Sequence, residues 1–474
     1  MATSLSRRRQ SSQLWSLLPG PPWSHEERRA FEFYVHRAGP FLAGAVDTKF
    51  WATLVPQLCQ IDSMVLDAVL SISLLFEHSQ EVSKPLSPDT LTSAPTGRHH
   101  RQALKCYDRA VASLRQRIEQ SETDHSFALL SCVLFICIEA QQGHISNSLT
   151  LIQNGLKLFS DSLPGRPMAA GTLAIDHIVT PFFARHAVLM ATMGFPLPPE
   201  WTSRAEEHVL RLSVLSSISS LDEAKTELYP LLYQSNQLIR AAVLLSHDPQ
   251  KLAGLKLEQL AVLKRLREWR DQIDKLASCE NNEEVHRACS NLLMYYGVSF
   301  IWLSACTSQF ETAFDEYKEA FAEIVHHAET SLILSRDLDS AERPPPCASE
   351  FGVVPPLYFT ATKCRDPMLR RKALALIRQA PMPEGIWPAF ATERSIAKII
   401  ALEEGREDGQ GRIEDCMRPE SRPLPPEERR VHDAVAVKED RPGRGPMLSL
   451  QVFRFYHDAR GARRMVEETV RLDD

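Results

Sequence analysis

The sequence predicts an all-α protein, a large array of antiparallel helical hairpins with room for one short strand or hairpin near the C-terminus. Three observations carry that prediction. Apolar residues recur at helical steps along most of the chain. Glycine is scarce, at 19 of 474 residues, while the 31 prolines gather in connectors. An alternation of apolar and polar residues that could form a short strand is read in LSLQVFRFY at Leu448–Tyr456.

Taken in order, residues 1–22 are polar and Ser/Arg-rich and are read as a disordered tail. Ser24 then has the character of an N-cap, with Glu26 and Glu27 at the positive end of the helix dipole. Helix is favoured over Phe31–Leu58, and Asp62–Phe76 is apolar nearly all round, as a buried helix would be. Pro85, Pro88 and Pro95 make 81–97 a loop.

His100–Ile118 is the clearest amphipathic segment. Leu104, Tyr107, Val111, Leu114 and Ile118 step onto one face, which is expected to be the buried one. Buried helices follow at Asp124–Ala140 and Ile145–Phe159, and Pro164, Gly165 and Pro167 close this group. Short turns make antiparallel neighbours the natural topology.

The second half repeats the theme, with helical patterns at Thr172–Gly194 (broken near Thr180–Pro181), Thr202–Ser216, Asp222–Ser246, Lys256–Leu276, Asn282–Cys306 and Glu311–Leu334. Gly194–Pro199 is read as a turn and Arg343–Pro346 as a stop. Pro355–Leu376 is read as a short extended entry into a basic helix, and Glu384–Glu404 ends in another helix. The domain plan is therefore a tail (1–22), a helical body (23–404), a flexible charged linker (405–446) and a C-terminal segment (447–474). No fixed period supports a named solenoid repeat.

Composition narrows the function classes. With 54 Lys+Arg against 60 Asp+Glu the net charge is −6, so charge does not suggest a chain that grips DNA over a wide face. The longest apolar run, Phe127–Ile138, is far short of the ~20 residues of a spanning helix. Ten cysteines are scattered, with no CxxC anywhere; Cys132 and Cys137 lie in apolar runs and read as small buried hydrophobes in a reducing compartment.

Catalytic constellations are missing from the sequence. There is no GxxxxGK[ST] and no GxSxG. Gly409–Gly411 falls in the polar linker, not after a strand. His25–Glu26 and the doublets His99–His100 and His326–His327 lack the i, i+4 pairing of a metalloprotease helix. Neighbouring residues of a helix point about 100° apart, so each doublet reads as solvated or capping. No catalytic, cofactor-binding, metal or DNA-binding residue is assigned, and no cofactor is expected.

The densest positive patch is Lys363, Arg365, Arg370, Arg371 and Lys372. It could meet an anion or effector at Lys363 and Arg365, but pairing with acidic residues, Glu403 and Glu404 among them, is the favoured reading. Asp366 is placed as the cap and Pro367 in the first turn of a docking helix, with Leu369, Ala373, Leu376 and Ile377 facing the core. Arg7–Arg9 reads as a solvated tail.

Two stretches resemble the regulatory domain of fungal Zn(II)2Cys6 transcription factors. One runs through HRQALKCYDRAVASLRQRIEQ and SFALLSCVLFICIEAQQGHISNSLTLIQNGLKLFS, within 100–160. The other is PPLYFTATKCRDPMLRRKALALIRQAPMPEGIWPAFATERSIAKIIALEE, residues 355–404. The resemblance spans Phe31 to Glu404 and implies a non-enzymatic, nuclear transcription regulator or coregulator. Its helical domain would transmit regulation, contribute to a homodimer, or bind a protein partner or a small-molecule effector.

The family's zinc cluster needs closely spaced cysteine pairs, and the first cysteine of this sequence is Cys59, already in the helical body. The resemblance therefore lends neither zinc binding nor direct DNA reading. DNA would be reached indirectly or through a separate N-terminal module. The alternative is an α-helical scaffold that binds a protein or an apolar ligand outside transcription.

Overall fold

The computed structural model describes residues 23–43, 49–78, 97–120, 125–162, 182–183, 186–187, 218–245, 248–279, 282–338, 352–380, 389–405, 423–441, 444–457 and 463–472. The expectations for 1–22, 81–96, 202–216 and 343–346, and nearly all of those for 172–199, lie outside them.

The chain opens with α1 (His25–Phe33). Ser24 and Glu27 form a reciprocal capping box, satisfying two end amides at once. A π-helical turn, Tyr34–Ala38, leads into α2 (Gly39–Ala43). A second, Lys49–Leu54, precedes α3 (Val55–Leu58). Tyr34 is fully buried, and its hydroxyl donates to the Trp51 carbonyl at 3.1 Å. This tie holds the irregular Phe31–Leu58 segment together where a single straight helix would not.

Next come α4 (Ser63–Glu77), α5 (Arg98–Glu119), α6 (His125–Gln141) and α7 (Ile145–Ser162). Asp62 caps α4 by accepting from the Met64 and Val65 amides. On α5 the buried stripe is rotated from the one expected. Ala103, Cys106 and Ala110 are fully buried, while Val111 and Ile118 are exposed. Small side chains let α4 approach closely, and that contact outweighs the larger residues' preference for burial.

Three more hairpin helices follow: α8 (Leu221–Leu244), α9 (Pro249–Cys279) and α10 (Glu283–Ala305). Along α9, Leu263, Leu266, Trp269 and Ile273 are buried at helical steps, whereas Leu260 is exposed. The Trp269 indole N–H donates to the Ala224 carbonyl at 2.8 Å and pins α9 to α8. α10 is the wall between two cores. Leu292, Leu293 and Tyr296 face the large N-terminal core, and Met294, Val298 and Ile301 face a second one.

That second core is closed by α11 (Lys318–Leu338), α12 (Val354–Lys363), α13 (Pro367–Ile377) and α14 (Ala389–Glu403). A 3-10 turn, Glu311–Tyr317, precedes α11. The expected extended entry at Pro355 is helical instead. Pro355 and Pro356 sit in the first turn of α12, where a missing N–H costs nothing.

Part of the stretch read as a linker, 431–441 and 444–446, lies in strands. β1 (Val431–Arg441), β2 (Arg444–His457) and β3 (Arg463–Arg471) form a three-stranded antiparallel sheet in the order β1-β2-β3. The expected strand at Leu448–Tyr456 is the middle of this sheet. Leu448, Leu450 and Val452 pack with Val431 and Leu472 against Ile399 of α14, making a third, small core.

Candidate functional site

The densest positive patch turns inward. Cys364–Asp366 is the short connector between α12 and α13, and its middle residue, Arg365, is only 1% exposed. Asp366 caps α13, its Oδ1 accepting from the Met368 and Leu369 amides at 3.0 Å each, with Pro367 in the first turn. That cap fixes where the connector ends and aims Arg365 at the sheet.

Arg365 Nη2 donates to Glu311 Oε2 and Glu403 Oε1, both at 3.0 Å, and to the Val431 carbonyl at 2.9 Å. Its Nη1 donates to the Lys363 carbonyl at 2.7 Å. Lys363 Nζ lies 3.0 Å from each Glu311 oxygen and donates to the His432 carbonyl at 2.6 Å. Glu403 Oε1 in turn accepts the Val431 amide at 2.8 Å, and His432 Nδ1 meets Glu311 Oε1 at 2.9 Å. The first two residues of β1 are thus held by side chains from three helical elements.

Arg370 adds its guanidinium from α13, with Nη2 2.8 Å from Glu403 Oε2 as a charge contact and Nε donating to the Ala361 carbonyl at 3.2 Å. Arg371 reaches Glu404 at 2.8 and 2.9 Å. Lys372 is the member of the patch at the surface, where it meets Glu329 at 2.8 Å. Beside the cluster, Arg430 makes a two-pronged pair with Asp315 at 2.7 Å, and Glu427 accepts the Glu311 and Thr312 amides at 2.8 and 2.9 Å.

Burial opposes ionisation of Glu311, but Lys363 and Arg365 outweigh it and hold the carboxyl well below the usual range. Glu403 is lowered for the same reasons, with Arg365 and Arg370 overcoming its desolvation. Desolvation works against the Arg365 charge too, and the two carboxylates reverse it. Paired, hydrogen-bonded charges of this kind offset their desolvation and reward one arrangement over others. The chemistry on offer is mechanical: the cluster clamps the sheet to the second core.

The sequence expectation of internal pairing at Glu403 and Glu404 is met by these contacts. Glu311, His432 and the Arg430–Asp315 pair were not foreseen. They lie far along the chain from Arg365, and no local spacing links them.

The other flagged residues are scattered. Cys137 is buried and Cys132 partly so, with burial pushing the Cys132 thiol up to about 11. His99 stacks on His78 with ring centroids 3.7 Å apart, while His327 is half-buried and His326 exposed. Among the described residues no group of three or more His, Cys, Asp and Glu could hold a metal ion. No described helix is long and apolar enough to cross a membrane.

The chain belongs to the fungal specific transcription factor domain family, whose model matches residues 29–380. No curated protein and no solved structure matches the chain significantly. The match takes in Glu311, Lys363, Arg365 and Arg370 and stops before Glu403 and β1. The clamp therefore joins residues inside the matched stretch to residues beyond it.

Proposed function

We propose that the chain is a nuclear, non-enzymatic transcription regulator that works through protein contacts made by its helical body. DNA is reached indirectly, through a DNA-binding partner or a separate zinc-cluster module. The observation that carries this reading is the family match over residues 29–380.

Physical support comes from the basic residues themselves. Phosphate contact draws on accessible Lys and Arg, yet Arg365, Arg370 and Arg371 are buried and paired with Glu311, Glu403 and Glu404. The densest basic stretch of the sequence is thereby withdrawn from any DNA-facing role, which favours contacts to protein.

The test is deletion of the gene, with transcript profiling and imaging of the tagged full chain. The expected result is nuclear enrichment and a defined set of altered transcripts. A cytosolic protein whose loss leaves transcripts unchanged would refute the proposal.

A further inference from the structure

α9 carries an apolar stripe that the fold does not use. Gln259, Val262, Leu263 and Leu266 are buried on its inner face. On the opposite face Leu257 and Leu260 are 75% and 59% exposed, and Ala253, Gly254 and Ala261 beside them are exposed as well. Two surface rows cross at Leu257, a four-step row with Ala253 and Ala261 and a three-step row with Gly254 and Leu260. Gly254 sits in the second turn of the helix, and a β-carbon there would meet nothing within 4 Å. Glycine is a poor helix former, so neither helix stability nor close packing within the chain accounts for it. What it leaves is a notch beside Leu257, of the kind that receives a ridge from a second helix.

The charge around the stripe is one-sided. Between 250 and 267 the helix has five Lys and Arg against Glu258 alone. Lys256 is exposed, and Lys264 reaches Glu268 of its own helix at 3.7 Å with both side chains more than half exposed. A surface pair of that kind holds its lysine weakly.

We propose that this stripe docks an amphipathic helix of another protein, with apolar anchors at i, i+3, i+4 and i+7 and an acidic flank set against Lys256 and Lys264. The inference rests on the reading of the helical body as a surface for protein contacts, and it adds the place and the chemistry of the partner. A second copy of this chain does not fit. Two such stripes face to face bring basic surfaces together, and the more acidic stretch from Glu268 to Asp274 exposes no large apolar side chain as an anchor. An anionic lipid surface would match the charge but gains from added apolar bulk, whereas a packed helix needs the notch left open.

The probe is a labelled synthetic helix with leucine at the four anchor positions and glutamate elsewhere. Fluorescence anisotropy follows its titration with the full chain up to about 100 μM, which covers weak specific association. Saturable binding that weakens with salt is expected, and a control peptide with lysine in place of glutamate is expected not to bind. Leu257→Asp and Gly254→Leu should each weaken binding about tenfold or more, while Ile118→Ser, at an exposed apolar residue of α5, should leave it unchanged. Gly254→Leu should melt no lower than the wild type, because leucine is the better helix former. Lys256→Glu combined with Lys264→Glu should turn the preference towards the lysine peptide. No binding of the glutamate peptide, binding indifferent to Gly254→Leu, or attachment to phosphatidylserine vesicles that Gly254→Leu strengthens would each overturn the proposal. Altered transcripts on gene deletion without peptide binding would remove this site and leave the regulatory reading standing; peptide binding without altered transcripts would do the reverse.

Discussion

Arg365 and Glu403 sit 3.0 Å apart with no solvent exposure of either side chain, joining the α12–α13 connector to the end of α14. Both also bind the first residue of β1, the guanidinium at the Val431 carbonyl and the carboxylate at the Val431 amide. One ion pair therefore sets the position of three elements that are remote in sequence.

Breaking this pair from either side strands a buried charge. Arg365→Leu or Glu403→Leu alone should cost about 3–5 kcal/mol, the range for removing one member of a buried pair. The double variant should cost less than the sum, because Arg365 and Glu403 are removed together, although Arg370 still loses its carboxylate. Urea denaturation of the four proteins checks this. Simple additivity would mean that the two residues do not act as a unit.

Close packing of α10 on α11 depends on Gly297. A β-carbon there would come 2.8 Å from Ile324 Cγ1, and Ile324 is 1% exposed. Alanine gains up to about 1 kcal/mol of helix propensity over glycine, whereas overpacking a tight core costs about 1–3 kcal/mol. Gly297→Ala should therefore lower the melting temperature, and a rise would show that the helices can separate freely.

Two histidines should give opposite pH dependences. Burial, reinforced by Arg270 and His326, lowers His327 to about 4. Its contribution to stability is present above the unfolded histidine value near 6.5 and is lost as pH falls from there towards 4. The Glu139 hydrogen bond raises His144 despite partial burial, with Nδ1 at 2.8 Å from the carboxylate. Stability from His144 is fully present below the ordinary histidine value and is lost as pH rises through the raised one. Melting curves from pH 4 to 8 should lose the acid-side slope in His327→Leu and the upper slope in His144→Gln.

The α13 cap carries a separate prediction. Asp366 accepts two end amides and also meets Lys318 at 2.7 Å. Asp366→Ala should cost about 0.5–2 kcal/mol, as loss of an N-cap does. Asp366→Asn should recover most of it if the cap, and not the lysine contact, dominates. Thermal unfolding of both variants separates the two contributions.

What the sequence revealed follows the range over which each signal acts. Helix steps and caps are local, so α4, α6, α9 and the Asp366–Pro367 start of α13 were legible. Burial on α5 was not, because Ala103, Cys106 and Ala110 win by allowing α4 to come close. β1 was hidden inside a charged, proline-rich window, though VHDAVAV within it carries the three valines of a strand former. Glu403 could be nominated for Arg365 because few other acidic residues stand near the end of a nearby helix. Glu311 could not, since it reaches the cluster only when the 3-10 turn folds against α12.

Hydrogen exchange of the full chain, wild type against Glu403→Gln, tests the clamp most directly. The account predicts faster exchange in residues 431–441 and 448–457, with α4, α6 and α10 protected as before. Unchanged protection of the sheet, or a uniform loss across all three cores, would contradict it.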